Sequence, residues 1–477
     1  MPNETQTYDI VVLGAGTGGY GAAFRAGQLG LKVALVDDNP KGIGGTCLHI
    51  GCIPTKAMLA SADLLDRMKH SSEFGISASD VAPDPEAIAK RRDRIVTRLV
   101  KGVTSLTKKN KVDYILGRGK LEGPQQVRVA TKDADGKSTG EVILKARDVI
   151  LATGSRVKSL PGLEPDGERI VTSDDVLKSA HVPASIIVVG AGAVGVEFAS
   201  YFHDMGSEVT VLEYLPGLVP LEDGEIQKEM ARAFQKRGIK VITSARFDPA
   251  AVKADESGVS LMVGPEGEEP AELRAEQMLV ATGRAANIED VGLETTRAAV
   301  ERGIVVTDEH MRTADPHLYA IGDIAGGLWL AHVATHEGIA AVQAIAGLEV
   351  EEIDYVKMPR ATYSRPQVAS IGLTSEQCAE QGIKTKVGKM PMQASGKAVI
   401  EGDTTGFVKV IADAETEELL GVHMIGHHVT ELIAESSTAM LLEATAWEVG
   451  AAVHPHPTLS EAMGEAAMAV DGQSINF

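Results

Sequence analysis

The chain has 477 residues and a formal net charge of -20 at pH 7. This length can hold several domains with sizeable cores, and the acidic balance argues against nucleic acid or an anionic membrane as a partner. The first residues show no signal-peptide pattern, and no apolar run reaches the about 18 residues of a membrane span. With three cysteines in the chain, we expect a cytoplasmic protein, in which paired cysteines are more often catalytic than structural.

The first motif is a glycine-rich turn that follows a short apolar segment. The segment at 8–13 predicts a strand, and it leads directly into Gly14, Gly16 and Gly19. A helical stretch and a second apolar strand come next, and that strand ends at Asp37. The glycines allow a pyrophosphate to approach the helix N-terminus, and the carboxylate can accept hydrogen bonds from a ribose diol. This order of elements predicts a dinucleotide site.

Cys47 and Cys52 are separated by four residues within the segment 44–56, GGTCLHIGCIPTK. A structural zinc site would require further Cys or His ligands at matched spacing, and the remaining cysteine is the distant Cys378. A disulfide that closes so short a loop removes little entropy from the unfolded chain, so stabilisation is a weak reason for one. Redox exchange is the remaining interpretation. Pro54 predicts that no helix immediately precedes it.

The region after the dithiol predicts a helix and then strands. Residues 83–107 show an amphipathic helical pattern with Asp84 as the N-cap. Residues 125–152 predict strands on both sides of an Asp-Gly turn. The last of these strands leads into Thr153 and Gly154.

The dinucleotide pattern recurs 176 positions later. Gly190, Gly192 and Gly195 correspond to the three glycines of the first turn, and Glu213 corresponds to Asp37. The chain therefore carries two predicted dinucleotide sites. Together with a reactive dithiol, they imply an electron relay between two cofactors.

Glu213 also indicates which nucleotide the second site prefers. A carboxylate repels a 2′-phosphate, and the four residues after Glu213 include no arginine that could bind one. We therefore expect NAD rather than NADP. The second unit closes with an Ala-Thr-Gly element that ends at Gly283, after a predicted strand at 277–280, and this element matches the one that ends at Gly154.

The later part of the chain predicts a further strand and then a change in secondary-structure type. The segment 317–327, HLYAIGDIAGG, predicts a strand that ends near Asp323 before a glycine turn. From about residue 350 the pattern changes to β-rich segments, followed by a helical run at 429–448.

The segment 454–461, HPHPTLSE, places His456 five residues before Glu461. An imidazole can accept a thiol proton near neutral pH, and a carboxylate on its other nitrogen fixes the tautomer. Without its neighbours, neither His454 nor His456 stands out from other loop histidines.

Taken together, these motifs resemble the FAD-dependent pyridine nucleotide-disulfide oxidoreductases, the flavoprotein disulfide reductases, over essentially the whole chain. The family motif GGTCxNxGCxPSK is met with His49 in the Asn position and Thr55 in the Ser position. The resemblance implies an α/β fold with two Rossmann-like dinucleotide-binding domains and a C-terminal α+β interface domain. The implied boundaries are an FAD-binding domain at 1–155 and 285–350, an NAD-binding domain at 156–284, and an interface or dimerisation domain at 351–477.

The resemblance also implies a role for each motif residue, and no metal is expected. Cys47 and Cys52 form the redox disulfide, His456 is the acid-base group that Glu461 orients, and His454 is a spectator. The residues on the FAD side are Gly14, Gly16, Gly19, Asp37, Lys56, Thr153, Gly154 and Asp323, and those on the NAD side are Gly190, Gly192, Gly195, Glu197, Glu213 and Gly283.

Within the family, the resemblance is strongest to the members that oxidise dihydrolipoamide with NAD⁺. The intact dithiol separates the chain from the transhydrogenases, and the lack of any cysteine after Cys378 separates it from the mercuric and large thioredoxin reductases. In the resembled members a substrate thiolate attacks Cys47, Cys52 faces the FAD, and Lys56 pairs with Glu197 beside the flavin. NAD⁺ finally receives the hydride.

The implied active unit is a homodimer in which the histidine comes from the partner subunit. The implied partners are lipoyl domains of 2-oxo acid dehydrogenase complexes or of the glycine cleavage system. Two alternatives stay open. One is another NADH-dependent disulfide reductase that acts on a low-molecular-weight disulfide, and the other is a binding or scaffold protein that keeps the flavin fold without turnover.

Overall fold

The computed structural model describes residues 4–477. The strands are β1 (Glu4–Leu13), β2 (Val33–Asp37), β3 (Val112–Leu121), β4 (Gln126–Lys132), β5 (Ser138–Leu151), β6 (Ser155–Val157), β7 (Ile170–Thr172), β8 (Ser185–Val189), β9 (Glu208–Leu212), β10 (Lys240–Ile242), β11 (Ala245–Arg246), β12 (Lys253–Asp255), β13 (Gly258–Pro265), β14 (Ala271–Ala275), β15 (Gln277–Val280), β16 (Arg284–Ala286), β17 (Val300–Glu301), β18 (Ile304–Val305), β19 (Leu318–Ala320), β20 (Arg360–Thr362), β21 (Gln367–Gly372), β22 (Thr385–Pro391), β23 (Phe407–Asp413) and β24 (Leu419–Gly426).

The α-helices are α1 (Thr17–Gln28), α2 (Gly45–Ile50), α3 (Cys52–Lys69), α4 (Pro85–Lys109), α5 (Ser173–Val176), α6 (Ala193–Met205), α7 (Gly224–Arg237), α8 (Ala331–Ile345), α9 (Ser375–Glu380), α10 (Gly396–Glu401), α11 (Val429–Leu441), α12 (Ala446–Ala451) and α13 (Glu461–Ala469). The chain divides into two compact units. Unit 1 consists of 4–57, 89–157 and 284–355, and unit 2 consists of 58–88, 158–283 and 356–477.

Unit 1 is built on a mainly parallel sheet. β1 lies between β2 and β5, β3 lies beside β2, and β19 lies beside β5. β4 pairs antiparallel with both β3 and β5. Ile10, Val11 and Val12 of β1 are completely buried, because apolar clusters cover both faces of the sheet. Helices α1 and α8 pack against each other in this unit.

Unit 2 contains a second parallel sheet and an antiparallel one. The parallel sheet has the order β10-β9-β8-β15-β7, and one of its apolar clusters includes Phe198, Phe202 and Phe234 of the covering helices. The C-terminal sheet has the order β20-β21-β24-β23-β22 and packs against α11 and α13. The predicted fold class, with two Rossmann-like sheets and an α+β C-terminal part, is confirmed.

Two local predictions differ from the structure. Pro54 lies inside the first turn of α3, where its missing N–H has no intrahelical partner to lose, so helix α3 begins at Cys52. The helical run predicted at 429–448 is two helices, α11 and α12. The chain turns between them because Glu443 adopts a left-handed conformation with φ 55° and Thr445 forms a capping box with Glu448.

A buried ion pair links β23 of the C-terminal sheet to the N-terminus of α7 in unit 2. Lys409 on β23 donates to both carboxylate oxygens of Asp223 at 2.9 Å, and the two residues are 2% and 0% exposed. Asp223 also caps α7 by accepting from the N–H of Glu225. Burial by itself would raise the pKa of Asp223, but Lys409 and the N–H of Ser375 outweigh it and lower the pKa. The cap and the ion pair therefore hold one carboxylate in its charged form.

We predict that Lys409→Met lowers the free energy of unfolding by about 3 kcal/mol at neutral pH, because it leaves the Asp223 charge buried without its cation. Chemical denaturation of the purified protein measures this. Lys240→Met is the matched control, since the Lys240 and Glu208 side chains are 62% and 64% exposed, and it should cost less than about 1 kcal/mol.

The stabilisation by this ion pair depends on pH in a defined direction. The pKa of Asp223 is lower in the folded chain than in the unfolded one, so the pair stabilises the fold above about pH 4, and the stabilisation is lost as the pH falls through the folded-state pKa. The difference between wild type and Lys409→Met should therefore shrink in acid. Equal losses for Lys409→Met and Lys240→Met at pH 7 would contradict the assignment.

Candidate active site and dinucleotide sites

The first glycine turn leaves no space for a side chain at Gly14 or at Gly19. Gly14 has φ +104°, and a Cβ built on it would lie 2.1 Å from the carbonyl oxygen of Ala152. A Cβ on Gly19 would lie 1.8 Å from the carbonyl oxygen of Gly14. Gly16 is the N-cap of α1. The helix N-terminus thus lies against the end of β1, where its N–H groups can bind a pyrophosphate.

Asp37 closes this turn. Its Oδ2 accepts from the N–H of Ala15 at 2.6 Å, and its Oδ1 accepts from the N–H of Asn39 at 2.9 Å. Burial raises the pKa of Asp37, against the effect of the two N–H donors. Each carboxylate oxygen keeps a second lone pair, so the group can still accept from a ribose diol.

A cavity of about 590 Å³ opens beside Asp37. The sequence analysis missed several of its lining residues, which come from β3 and from the segments at 153–156 and 287–291. Gly117 and Gly119 interrupt the apolar pattern of β3, and a Cβ on Gly119 would lie 2.6 Å from Leu13. In the sequence, the two glycines on either side of Arg118 were the signal that could have indicated this part of the cavity. The glycine turn, the carboxylate and this cavity fit the adenosine and pyrophosphate portions of a dinucleotide.

The Thr153-Gly154 element is hydrogen-bonded to Asn287, which also belongs to unit 1. Thr153 Oγ1 donates to the carbonyl oxygen of Asn287 at 2.7 Å, and the Asn287 N–H donates to the carbonyl oxygen of Gly154 at 2.9 Å. Asp323 accepts from the Ser155 hydroxyl.

Ser155 in turn accepts from Arg284 Nε at 2.7 Å. The sequence analysis missed both Ser155 and Arg284, although Arg284 directly follows the second Ala-Thr-Gly element. The Ser155 hydroxyl thus connects this arginine to the Asp323 carboxylate.

The dithiol lies where the short helix α2 meets the longer helix α3. Cys47 is in α2, Cys52 is the first residue of α3, and both are present as thiols rather than as a disulfide, with Cys52 exposed. A hydrogen bond to Cys52 and burial raise the pKa of Cys47, while the positive charge of Lys56 opposes this rise. His49, at the position of the family Asn, contacts the carbonyl oxygen of Gly42 at 2.9 Å. The two sulfurs are therefore close enough to interact directly.

The second glycine turn repeats the first one in detail. Gly190 has φ +97°, and a Cβ on Gly195 would lie 1.8 Å from the carbonyl oxygen of Gly190. Gly192 is the N-cap of α6. Glu213 Oε2 accepts from the N–H of Ala191 at 2.6 Å, the same distance as in the Asp37 bond to Ala15. The two turns are equivalent dinucleotide cradles.

The remaining predicted residues of the NAD side lie around this turn. Glu213 Oε1 accepts from the N–H of Leu215 at 2.8 Å. Gly283 has φ +117°, which suits glycine. Glu197 on α6 is 3% exposed, and its Oε1 accepts from the N–H of Tyr363 at 2.9 Å.

His456 and Glu461 form the expected pair. His456 Nδ1 and Glu461 Oε1 are 2.8 Å apart, and the His456 side chain is 80% exposed. The Thr458 N–H and His456 lower the pKa of Glu461. A carboxylate on Nδ1 leaves Nε2 directed away from it, available for a proton transfer.

His454 has a different environment. Its Nε2 lies 2.7 Å from Glu435 Oε1, and its side chain is 12% exposed. Of the two histidines in the motif, only His456 is open to a substrate.

Among residues 4–477, no group of three or more His, Cys, Asp or Glu side chains is placed to hold a metal ion. Within the same range, no helix is both long and apolar enough to cross a membrane.

The chain matches known proteins over nearly its whole length. The family model described as pyridine nucleotide-disulphide oxidoreductase matches residues 8–338, and the model of the dimerisation domain of that family matches residues 358–467. A dihydrolipoyl dehydrogenase from Bacillus subtilis is 46% identical over 98% of this chain and 99% of the relative. One from Zymomonas mobilis is 42% identical over 98% and 99%.

A solved structure agrees with these matches. LpdA from Mycobacterium tuberculosis superposes with a TM-score of 0.86 at 27% identity, covering 97% of this chain and 99% of that one. With two nucleotide cradles, a dithiol and a full-length match, the chain belongs to the pyridine nucleotide-disulphide oxidoreductase family.

Proposed function

We propose that Cys47 and Cys52 are the redox pair of the dihydrolipoyl dehydrogenase reaction. In this reaction the chain oxidises dihydrolipoamide to lipoamide and reduces NAD⁺ to NADH. The observation that carries the activity is the identity of 46% to a dihydrolipoyl dehydrogenase over 98% of the chain. The cofactors are FAD and NAD.

The residues of the first cradle hold FAD, and those of the second cradle hold NAD. When bound, FAD would supply the acceptor for the electron pair of the reduced dithiol, and NAD⁺ would be the final acceptor, as a hydride. On the FAD side we assign Gly14, Gly16, Gly19, Asp37, Lys56, Thr153, Gly154 and Asp323, and on the NAD side Gly190, Gly192, Gly195, Glu197, Glu213 and Gly283. Their domains are 1–155 with 285–350 for FAD, 156–284 for NAD, and 351–477 for dimerisation.

His456 removes the proton from a thiol of dihydrolipoamide, and Glu461 orients its ring. The resulting thiolate attacks the Cys47 sulfur of the oxidised pair, and Cys52 leaves as a thiolate. The second substrate thiol then displaces Cys47 and gives its proton to the departing Cys47 thiolate, which releases lipoamide and leaves the pair reduced by two electrons, with the first proton on His456. The bond between His456 and Glu461 supports this role because it stabilises the imidazolium that forms.

Lys56 and Glu197 act through their charges and do not contact the substrate. The positive charge of Lys56 lowers the cost of a thiolate at Cys47. We assign both side chains to the cofactor sites, Lys56 on the FAD side and Glu197 on the NAD side.

The active unit is a two-fold homodimer in which His456 serves the Cys47–Cys52 pair of the partner subunit. The match of residues 358–467 to a dimerisation domain supports the dimer. The natural substrates are lipoyl domains of a 2-oxo acid dehydrogenase complex or of the glycine cleavage system, and the compartment is the cytoplasm.

A panel of substrates tests this function. The purified enzyme with FAD bound should form NADH from NAD⁺ and dihydrolipoamide, and it should consume NADH with lipoamide faster than with low-molecular-weight disulfides such as glutathione disulfide. A faster reaction with one of those disulfides would overturn the assignment in favour of another disulfide reductase.

We predict that Cys47→Ser lowers dihydrolipoamide oxidation at least about a thousandfold, because the variant has no disulfide for the substrate to attack. Flavin binding and the transfer from NADH to an artificial dye should persist. Steady-state rates and the visible spectrum of the purified variant measure both. Cys378→Ser, at a buried thiol, is the matched control and should keep the wild-type rate.

A second prediction concerns the proton transfer. His456→Gln should slow dihydrolipoamide oxidation by about a hundredfold to ten-thousandfold, while the transfer from NADH to a dye changes little. His454→Gln is the control in the same motif, and its glutamine can still bond to Glu435, so we expect less than about a tenfold loss. Equal losses in both reactions for His456→Gln would remove His456 from the acid-base role.

A further inference from the structure

An arginine from a different strand lies beside the carboxylate end of the second cradle. Arg246 on β11 stacks on the ring of Tyr214, the residue after Glu213, with its guanidinium carbon 3.9 Å from the ring centroid. Arg246 Nη1 donates to the carbonyl oxygen of Tyr214 at 2.9 Å. The neighbouring Ala245 N–H donates to the carbonyl oxygen of Glu213 at 2.8 Å. The guanidinium is therefore fastened to the residue that follows the ribose-binding carboxylate.

Glu266 pairs with this guanidinium. Arg246 Nη2 donates to Glu266 Oε2, and the two side chains are 36% and 66% exposed. A guanidinium has five N–H donors, and the structure gives Arg246 three bonds, to Tyr214, Ala245 and Glu266. Arg246 thus combines donor capacity with a position next to Glu213.

We propose that Arg246 is a specificity-determining residue of the NAD site, a cation placed to bind a 2′-phosphate and kept from doing so by two carboxylates. This inference rests on the proposed function, in which Glu213 binds the adenosine ribose of NAD. Glu213 repels the 2′-phosphate directly, and Glu266 neutralises Arg246 and holds it on Tyr214. The site therefore rejects NADP although it contains an arginine of the type that NADP sites use.

The charges explain why the two carboxylates act together. A phosphate near Arg246 gains a charge-assisted hydrogen bond, but the negative charges of Glu213 and Glu266 repel it. Removing the Glu213 charge should allow the phosphate to enter. Removing the Glu266 charge as well should release Arg246 to bind it.

Titration calorimetry of the oxidised, FAD-loaded enzyme with NADP⁺ and with NAD⁺ tests this. Glu213→Gln removes the charge but keeps an oxygen that can accept from Ala191, so the turn should survive. In this background, Glu266→Gln should tighten NADP⁺ binding by about tenfold, the value of one bond between charged groups, and Arg246→Gln added to that double variant should cancel the gain. NAD⁺ binding should change less than about threefold in both, since NAD⁺ lacks the phosphate.

The control is Glu208→Gln in the same Glu213→Gln background. Glu208 is an exposed carboxylate at the opposite end of β9, paired with Lys240, and its loss should leave the ratio of the two affinities unchanged. Thermal unfolding of every variant checks that the fold is kept.

Two outcomes overturn the inference in different ways. If Glu213→Gln changes the affinity of neither nucleotide, Glu213 is not in the NAD site and the site assignment fails together with the inference. If Glu213→Gln changes the affinities but Arg246→Gln, added to Glu213→Gln and Glu266→Gln, leaves their ratio unchanged, the NAD site stands and the role of Arg246 is wrong.

Discussion

Each nucleotide cradle depends on one carboxylate that bonds to the backbone of its own glycine turn. Asp37 accepts from Ala15 and Glu213 accepts from Ala191, each at 2.6 Å. This bond joins the end of the second strand to the turn after the first strand, so both face the helix N-terminus. The glycines without room for a Cβ let that helix approach the strand. Because both sheets contain the same arrangement, one chain can hold two dinucleotides in equivalent positions.

In the proposed reaction, the dithiol carries the electron transfer and the histidine carries the proton transfer. The contact between Cys47 and Cys52 raises the pKa of Cys47, so the reduced pair holds a proton tightly. The proposed reaction also needs a base for the substrate thiol, and His456 is an exposed imidazole whose orientation Glu461 fixes. The Glu461 carboxylate stays charged because the Thr458 N–H and His456 lower its pKa. The geometry and the charge of this pair therefore both suit the proposed proton transfer.

Local patterns predicted much of the fold and of the candidate site. Apolar periodicity and glycine spacing located both parallel sheets, since these signals lie within about thirty consecutive residues of one βαβ unit. The predicted helix at 83–107 is α4, Pro85–Lys109, and Asp84 accepts from its first turn. The helical run at 429–448 was predicted as one helix, because nothing in its apolar pattern announces the left-handed Glu443 between α11 and α12.

The sequence by itself determined the fold class, the dithiol and the two glycine turns, because each is encoded in one short continuous stretch. Only the tertiary structure decided which distant residues contact these short segments. Strand order brought Arg284 to Ser155 and Arg246 to Tyr214. Helix packing placed Glu435 against His454 and left His456 exposed. Such partners are distant in the chain, and their contacts arise only when sheet order and burial fix which segments become neighbours.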